Sequence, residues 1–256
     1  MNRIEELFTK KKTGILSVFY TAGFPALNDT GTIALNLQQA GVDLIEIGIP
    51  FSDPVADGPV IQQSSKQAID NGMTVKLLLS QVRELRKQVH IPIILMGYLN
   101  PVMQYGIEKF FKDAFNAGVD GLILPDMPFD EYEIVYKTAM ESAGLRNIFL
   151  VSPTTSEARI RKIDQATNAF IYAVSSTSTT GTKQEFDQQQ LAYFERLRNM
   201  KLKNPFLIGF GIYNKNTFST ACSYGAGAIV GSAFIKAIKE STALEPDIAA
   251  FVSSLR

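Results

Sequence analysis

The sequence predicts an α/β fold, a (β/α)8 TIM barrel with an additional N-terminal helix, and three observations carry that reading. Eight short apolar runs alternate with longer amphipathic stretches from end to end. A helix-to-strand turn recurs, as Ala40-Gly41-Val42-Asp43 and as Ala117-Gly118-Val119-Asp120, with Ser142-Ala143-Gly144 and Tyr224-Gly225-Ala226 as looser versions. The 256 residues match eight such units in length. A doubly wound open sheet is the alternative, but it more often carries a glycine-rich dinucleotide turn after its first strand, and none stands here.

In chain order, strands are expected at Ile15–Thr21, Leu44–Ile49, Ile93–Gly97, Gly121–Leu124, Asn147–Val151, Ala169–Val174, Phe206–Phe210 and Gly227–Val230. Most are continuous apolar runs, as a sheet covered on both faces requires. Between them, Thr30–Ala40 places Ile33, Ala34, Leu37 and Ala40 on one helical face, and Val75–Val89 does the same with Leu78, Leu79, Val82, Leu85 and Val89. Further helices are expected at Ile107–Ala117, Asp130–Ser142, Glu157–Ala166, Asp187–Arg198, Lys215–Ser223 and Ala233–Lys239. Asn28-Asp29 and Ser156 stand where N-caps belong, and the recurrent glycines stand where helices end. No composition shift or linker marks a second domain, so residues 1–256 read as one barrel domain. The Ser/Thr stretch Ser175–Gly181 reads as a mobile loop, expected to close as a lid, with the residues up to about Phe186, over a bound phosphate.

Composition narrows the function. Lys and Arg number 25 and Asp and Glu 25, so no basic excess exists to neutralise nucleic-acid phosphates. One cysteine, Cys222, allows no intrachain disulfide and fits a reducing compartment. With one histidine, His90, it leaves almost no ligand set for a structural zinc, and no metal site is expected. The opening Met1–Glu6 has acids where a signal peptide needs an apolar run, and no apolar stretch approaches membrane-spanning length. A cytoplasmic enzyme is the expectation, with no membrane partner.

The chemistry starts at Glu46. A carboxylate inside the run Leu44-Ile45-Glu46-Ile47-Gly48-Ile49 is costly unless paired, and strand alternation puts Glu46 opposite the isoleucine face. With the isoleucines under the helices, Glu46 points into the barrel. It is then either a hydrogen-bonded structural carboxylate or a proton-transfer group with a pKa raised by burial. The next segment, Pro50–Pro59, follows the second strand on the face where barrels keep their active sites. Asp53 there is read as a turn former, and Asp57, beside Glu46, as functional. Glycines end the last three strands, at Thr180-Gly181, Gly209-Phe210-Gly211 and Gly231-Ser232, a pattern suited to phosphate binding by backbone N–H groups. No expected strand contains the lysine of a Schiff-base aldolase; Lys183 lies in a loop, and His90 alone cannot make a metal aldolase.

The segment from Leu44 to Pro59 resembles the signature of the tryptophan synthase α chain family. So do Tyr20-Thr21-Ala22-Gly23, Tyr98-Leu99-Asn100-Pro101, Pro125-Asp126-Met127-Pro128, Pro153-Thr154-Thr155 and Gly209-Phe210-Gly211-Ile212, so the resemblance covers essentially the whole chain. It implies a (β/α)8 lyase that splits indole-3-glycerol phosphate into indole and glyceraldehyde 3-phosphate. It implies that Glu46 is the general acid/base, that Asp57 contacts the indole N–H, and that Tyr172 lies beside the reacting carbons. It also implies a β chain partner in an α2β2 heterotetramer, with pyridoxal phosphate in the partner and no cofactor in this chain. Thr180, Gly181, Gly209, Gly211, Gly231 and Ser232 are the expected phosphate site. Ser176 and Ser178 stand where the family usually has Arg and Gly, and Gly23-Phe24-Pro25 stands for its common Gly-Asp-Pro. A lyase acting alone and a non-catalytic barrel are the competing readings; the presence of Glu46, Asp57 and Tyr172 together argues against the second.

Overall fold

A computed structural model describes residues 2–175 and 185–256. Its strands are β1 (Ile15–Thr21), β2 (Leu44–Gly48), β3 (Ile93–Met96), β4 (Gly121–Ile123), β5 (Arg146–Asn147), β6 (Phe149–Val151), β7 (Ile171–Val174), β8 (Phe206–Gly209) and β9 (Gly227–Val230). All pairings are parallel, in the order β5-β4-β3-β2-β1-β9-β8-β7-β6. β5 and β6 are two halves of the expected fifth strand, broken only at Ile148, so the ends of that order meet within one stretch of chain. β5 pairs with β4 and β6 with β7, which brings the sheet round into a barrel. The expected eight-unit barrel is therefore present.

Alternation along each strand sorts the apolar residues into two cores. Leu16, Val18, Tyr20, Ile45 and Ile47 face outward and pack beneath the helices. Ile15, Leu44, Ile94, Ile123, Tyr172, Leu207 and Ile229 face inward and fill the barrel. The additional N-terminal helix, Arg3–Lys10, adds Ile4 and Phe8 to this inner core. A capping box of Asn2 and Glu5 starts it, and the Phe8 and Phe170 rings meet at 5.6 Å. Gly121 makes room for it: a Cβ there would stand 3.0 Å from Ile4 Cδ1.

The repeated Ala-Gly-Val-Asp turn acquires a physical meaning at this end of the barrel. Gly41 and Gly118 adopt φ of +88° and +98°, which only glycine takes without strain. Each following aspartate then clips its strand to a neighbour. Asp43 accepts from the Leu16 N–H at 2.8 Å and Asp120 from the Ile93 N–H at 2.9 Å. Asp120 also accepts from Arg86 at 2.7 Å and from Arg3 at 3.0 Å, tying the N-terminal helix to the floor of the barrel.

Other elements depart from expectation. Helices Pro59–Asp70, Leu99–Tyr105 and Leu244–Leu255 were not expected, while the helix starting at Val75 stops at Leu85 rather than Val89. The expected Asp130–Ser142 helix begins at Phe129 and passes through a wider π-helical turn at Tyr132–Tyr136. Asn28 makes no side-chain cap, whereas Ser156 accepts from the Arg159 N–H as expected. No helix among the described residues is long and apolar enough to cross a membrane.

Candidate active site

Strand alternation carries Glu46 into the barrel interior, where it is fully buried. Ser17, on β1, donates its hydroxyl hydrogen to Glu46 Oε1 at 2.7 Å, and Oε2 has no partner among the described residues. Burial pushes the carboxyl up from 4.5 to about 7, and the Ser17 bond pulls in the other direction. Its register neighbours are Phe19 on β1 and Ile94 on β3, so apolar side chains supply most of its surroundings.

Asp57 lies just before the helix that starts at Pro59. Tyr98, in the connection that follows β3, donates its phenol hydrogen to Asp57 Oδ2 at 2.9 Å and accepts from the Ala56 N–H at 3.0 Å. Phe51 stacks on the Tyr98 ring at 5.3 Å between centroids, completing a brace for this connection. Burial raises the Asp57 pKa, opposed by the Tyr98 hydrogen bond. Tyr172 projects inward from β7 and is buried; its phenol is held well above its ordinary value by burial, then by the negative charges of Glu46 and Asp57. The three expected catalytic residues thus converge on one region of the barrel.

A cavity of about 570 Å³ opens there. Asp57 and Tyr172 line it, with Phe19, Phe210 and Ile229 among its apolar walls. Glu46 is not on its surface, but two residues beside it, Phe19 and Tyr172, are. Gly211, Gly231 and Ser232 line the same cavity, at the ends of β8 and β9. Gly211 has φ of +73°, and a Cβ at Gly231 would meet Phe19 at 3.6 Å, an ordinary contact. Gly209 plays a different part in this geometry: it lies under the Tyr172 ring, and any Cβ there would collide with that ring and its hydroxyl. Thr180 and Gly181, with Ser176, Ser178, Lys183 and most of the expected lid, lie outside the described residues.

The remaining candidates fall where chemistry is not served. Asp53 is exposed in the turn that follows β2 and takes a hydrogen bond from Ser52. His90 is exposed, and its backbone N–H donates to Gln38 Oε1 at 2.6 Å. Among the described residues, no group of His, Cys, Asp and Glu could hold a metal ion. Sequence reasoning passed over Ser17 and Tyr98. A serine in a strand carries no signal of its own, but Tyr98 stands in a motif already singled out, immediately before a run that proves to be a helix.

The chain matches the family model described as "Tryptophan synthase alpha chain" over residues 6–253. The tryptophan synthase alpha chain of Parabacteroides distasonis is 54% identical over 246 residues, 96% of each chain. That of Flavobacterium psychrophilum is 53% identical over 255 residues and the full length of both. The crystal structure of the alpha chain from Legionella pneumophila superposes with a TM-score of 0.90 at 36% identity, covering 100% of this chain and 96% of that one.

Proposed function

This chain belongs to the tryptophan synthase alpha chain family, and we propose that it serves tryptophan biosynthesis as a lyase, splitting indole-3-glycerol phosphate into indole and glyceraldehyde 3-phosphate. The observation that carries this reading is Glu46, a wholly buried carboxyl poised at about 7 with one oxygen unpartnered among the described residues. A group with that pKa can give a proton in one step and take one in another at the same pH.

The chemistry is a retro-aldol cleavage. A proton delivered to indole C3 makes an indolenine cation. The hydroxyl on the adjoining side-chain carbon then loses its proton, its O–H electrons become the second C=O bond, and the carbon–carbon pair returns to the ring. Glu46 serves these proton transfers. The Asp57 carboxylate offsets the positive charge that spreads to the ring N–H. Tyr172 packs beside the reacting carbons, and the apolar walls of the cavity suit a flat aromatic ring. Gly211, Gly231 and Ser232 line the cavity where backbone N–H groups would hold the phosphate, and the sequence assigns Thr180 and Gly181 to the same grip. Gly209 supports the site through Tyr172.

An alpha chain of tryptophan synthase works with a beta chain, and we infer an α2β2 heterotetramer acting in the cytoplasm, with residues 1–256 as one barrel domain. Pyridoxal phosphate belongs to the partner in this reading; no lysine stands on β1–β9 to receive it. Val55, Met103, Ile134 and Val135 are exposed apolar residues on the connections following β2, β3 and β4, and they offer the beta chain a surface.

The test is indole release from indole-3-glycerol phosphate by the purified chain, with and without a beta chain, beside Glu46→Gln. Release that the beta chain stimulates and Glu46→Gln reduces by several orders of magnitude is expected. A folded Glu46→Gln protein with near-normal turnover would overturn the assignment.

A further inference from the structure

Among the described residues, one side chain hydrogen-bonds to Glu46 in the barrel interior, and it is Ser17. Ser17 and Glu46 face inward from adjacent strands, and the Ser17 hydroxyl is fully buried. Its one hydrogen-bond partner among the described residues is Glu46 Oε1, at 2.7 Å. We propose that Ser17 is a positioning residue for the acid/base carboxyl: it pins Oε1 to β1, leaves Oε2 as the oxygen that exchanges protons with substrate, and sets the pH at which Glu46 changes form.

The geometry makes this division of labour. Oε2 is buried without a partner among the described residues, although a buried carboxyl oxygen ordinarily finds one. A carboxyl with both oxygens bonded would be a structural group; one with neither bonded would have no fixed orientation in the apolar interior. One bond fixes the plane and leaves the other oxygen free. A donated hydrogen bond also favours the ionised form, and here it opposes a burial that favours the protonated one.

Few other groups compete for control of this carboxyl. β1 contributes Phe19 and β3 contributes Ile94 and Met96, none of which titrates. Tyr172 on β7 is within electrostatic reach of both Glu46 and Asp57, and its phenol stays protonated. No cation acts on Glu46 among the described residues. Among the described residues, Ser17 is the side chain that counters burial.

This inference rests on the acid/base role given to Glu46 above, and its test separates the two. The Glu46 carboxyl is followed through a pH titration of the free chain by its infrared band, identified as the band missing from Glu46→Gln. Ser17→Ala is compared with wild type, and Ser17→Thr with Ser17→Val, a pair of one shape that differ in the hydroxyl. The Glu46 midpoint is expected to rise by about one pH unit in Ser17→Ala and Ser17→Val and to return towards wild type in Ser17→Thr. The limb of the cleavage profile governed by Glu46 is expected to move upward with it. An unmoved carboxyl midpoint in Ser17→Ala, or equal midpoints in the Thr and Val variants, overturns the proposal. A shifted midpoint beside an unmoved cleavage profile upholds the grip of Ser17 on Glu46 and overturns instead the acid/base reading of Glu46.

Discussion

A carboxyl raised to about 7 by burial is one that the folded chain prefers to keep protonated, and this leaves a thermodynamic trace. The folded pKa lies above the ordinary 4.5, so the folded chain binds the proton more tightly than the unfolded chain does. The contribution of Glu46 to stability is complete below about pH 4.5 and is lost as pH rises through 7, a loss of about 3 kcal/mol. Denaturant unfolding between pH 4 and 8 should show this fall in wild type, and Glu46→Gln should lack it. Parallel curves for the two proteins would contradict the buried, protonated carboxyl. Asp57 poses a different question, because its role is charge rather than proton transfer. Asp57→Asn keeps the shape and the Tyr98 contact but cannot offset a cation, so turnover should fall about 100-fold or more with substrate affinity little changed. A change confined to affinity would make Asp57 a group that only places the substrate.

Glycine at the end of β8 shows how one element shapes a residue on another. A Cβ at Gly209 would collide with the Tyr172 ring, so β8 must be bare where β7 sends its tyrosine across. Gly209→Ala should cost about 1–3 kcal/mol and depress cleavage together. In a Tyr172→Ala background the same change should cost little stability, and the difference is read from a double-mutant cycle. Equal costs in both backgrounds would mean that the glycine serves something other than the ring. Elements such as this mark the limit of what the sequence made legible. Glu46 could be read because a carboxylate interrupts an apolar strand, and alternation put it opposite the isoleucines that the helices cover. The role of Gly209 could not, since a phosphate loop and a space for a ring ask for the same residue. The helix Pro59–Asp70 was missed because its start merges with the Asp-Gly-Pro of a loop, and its polar Gln62, Gln63, Lys66 and Gln67 obscure the buried Ser64, Ser65 and Ala68. The aspartates of the Ala-Gly-Val-Asp turns were visible as a repeat, but their N–H acceptor role depends on strand register, which only the closed sheet reveals.

For the molecule as a whole, the two ends of the barrel are built for opposite purposes. One end is locked by Asp43, Asp120, Arg86 and Arg3 around the N-terminal helix. The other carries the cavity and the exposed Val55, Met103 and Ile134 on three successive connections. Ile134→Asp should abolish stimulation of cleavage by a beta chain while basal cleavage by the chain alone is kept, because Ile134 is highly exposed and absent from the cavity walls. Undiminished stimulation would place the partner on another surface. The packing of Ile4 and Phe8 into the far end has one more result. It makes the barrel a blind alley: whatever enters to be cut must leave by the doorway it came through. Under the proposed cleavage two products would share one exit, and a partner covering that threshold would decide whether indole escapes to solvent or is handed straight across.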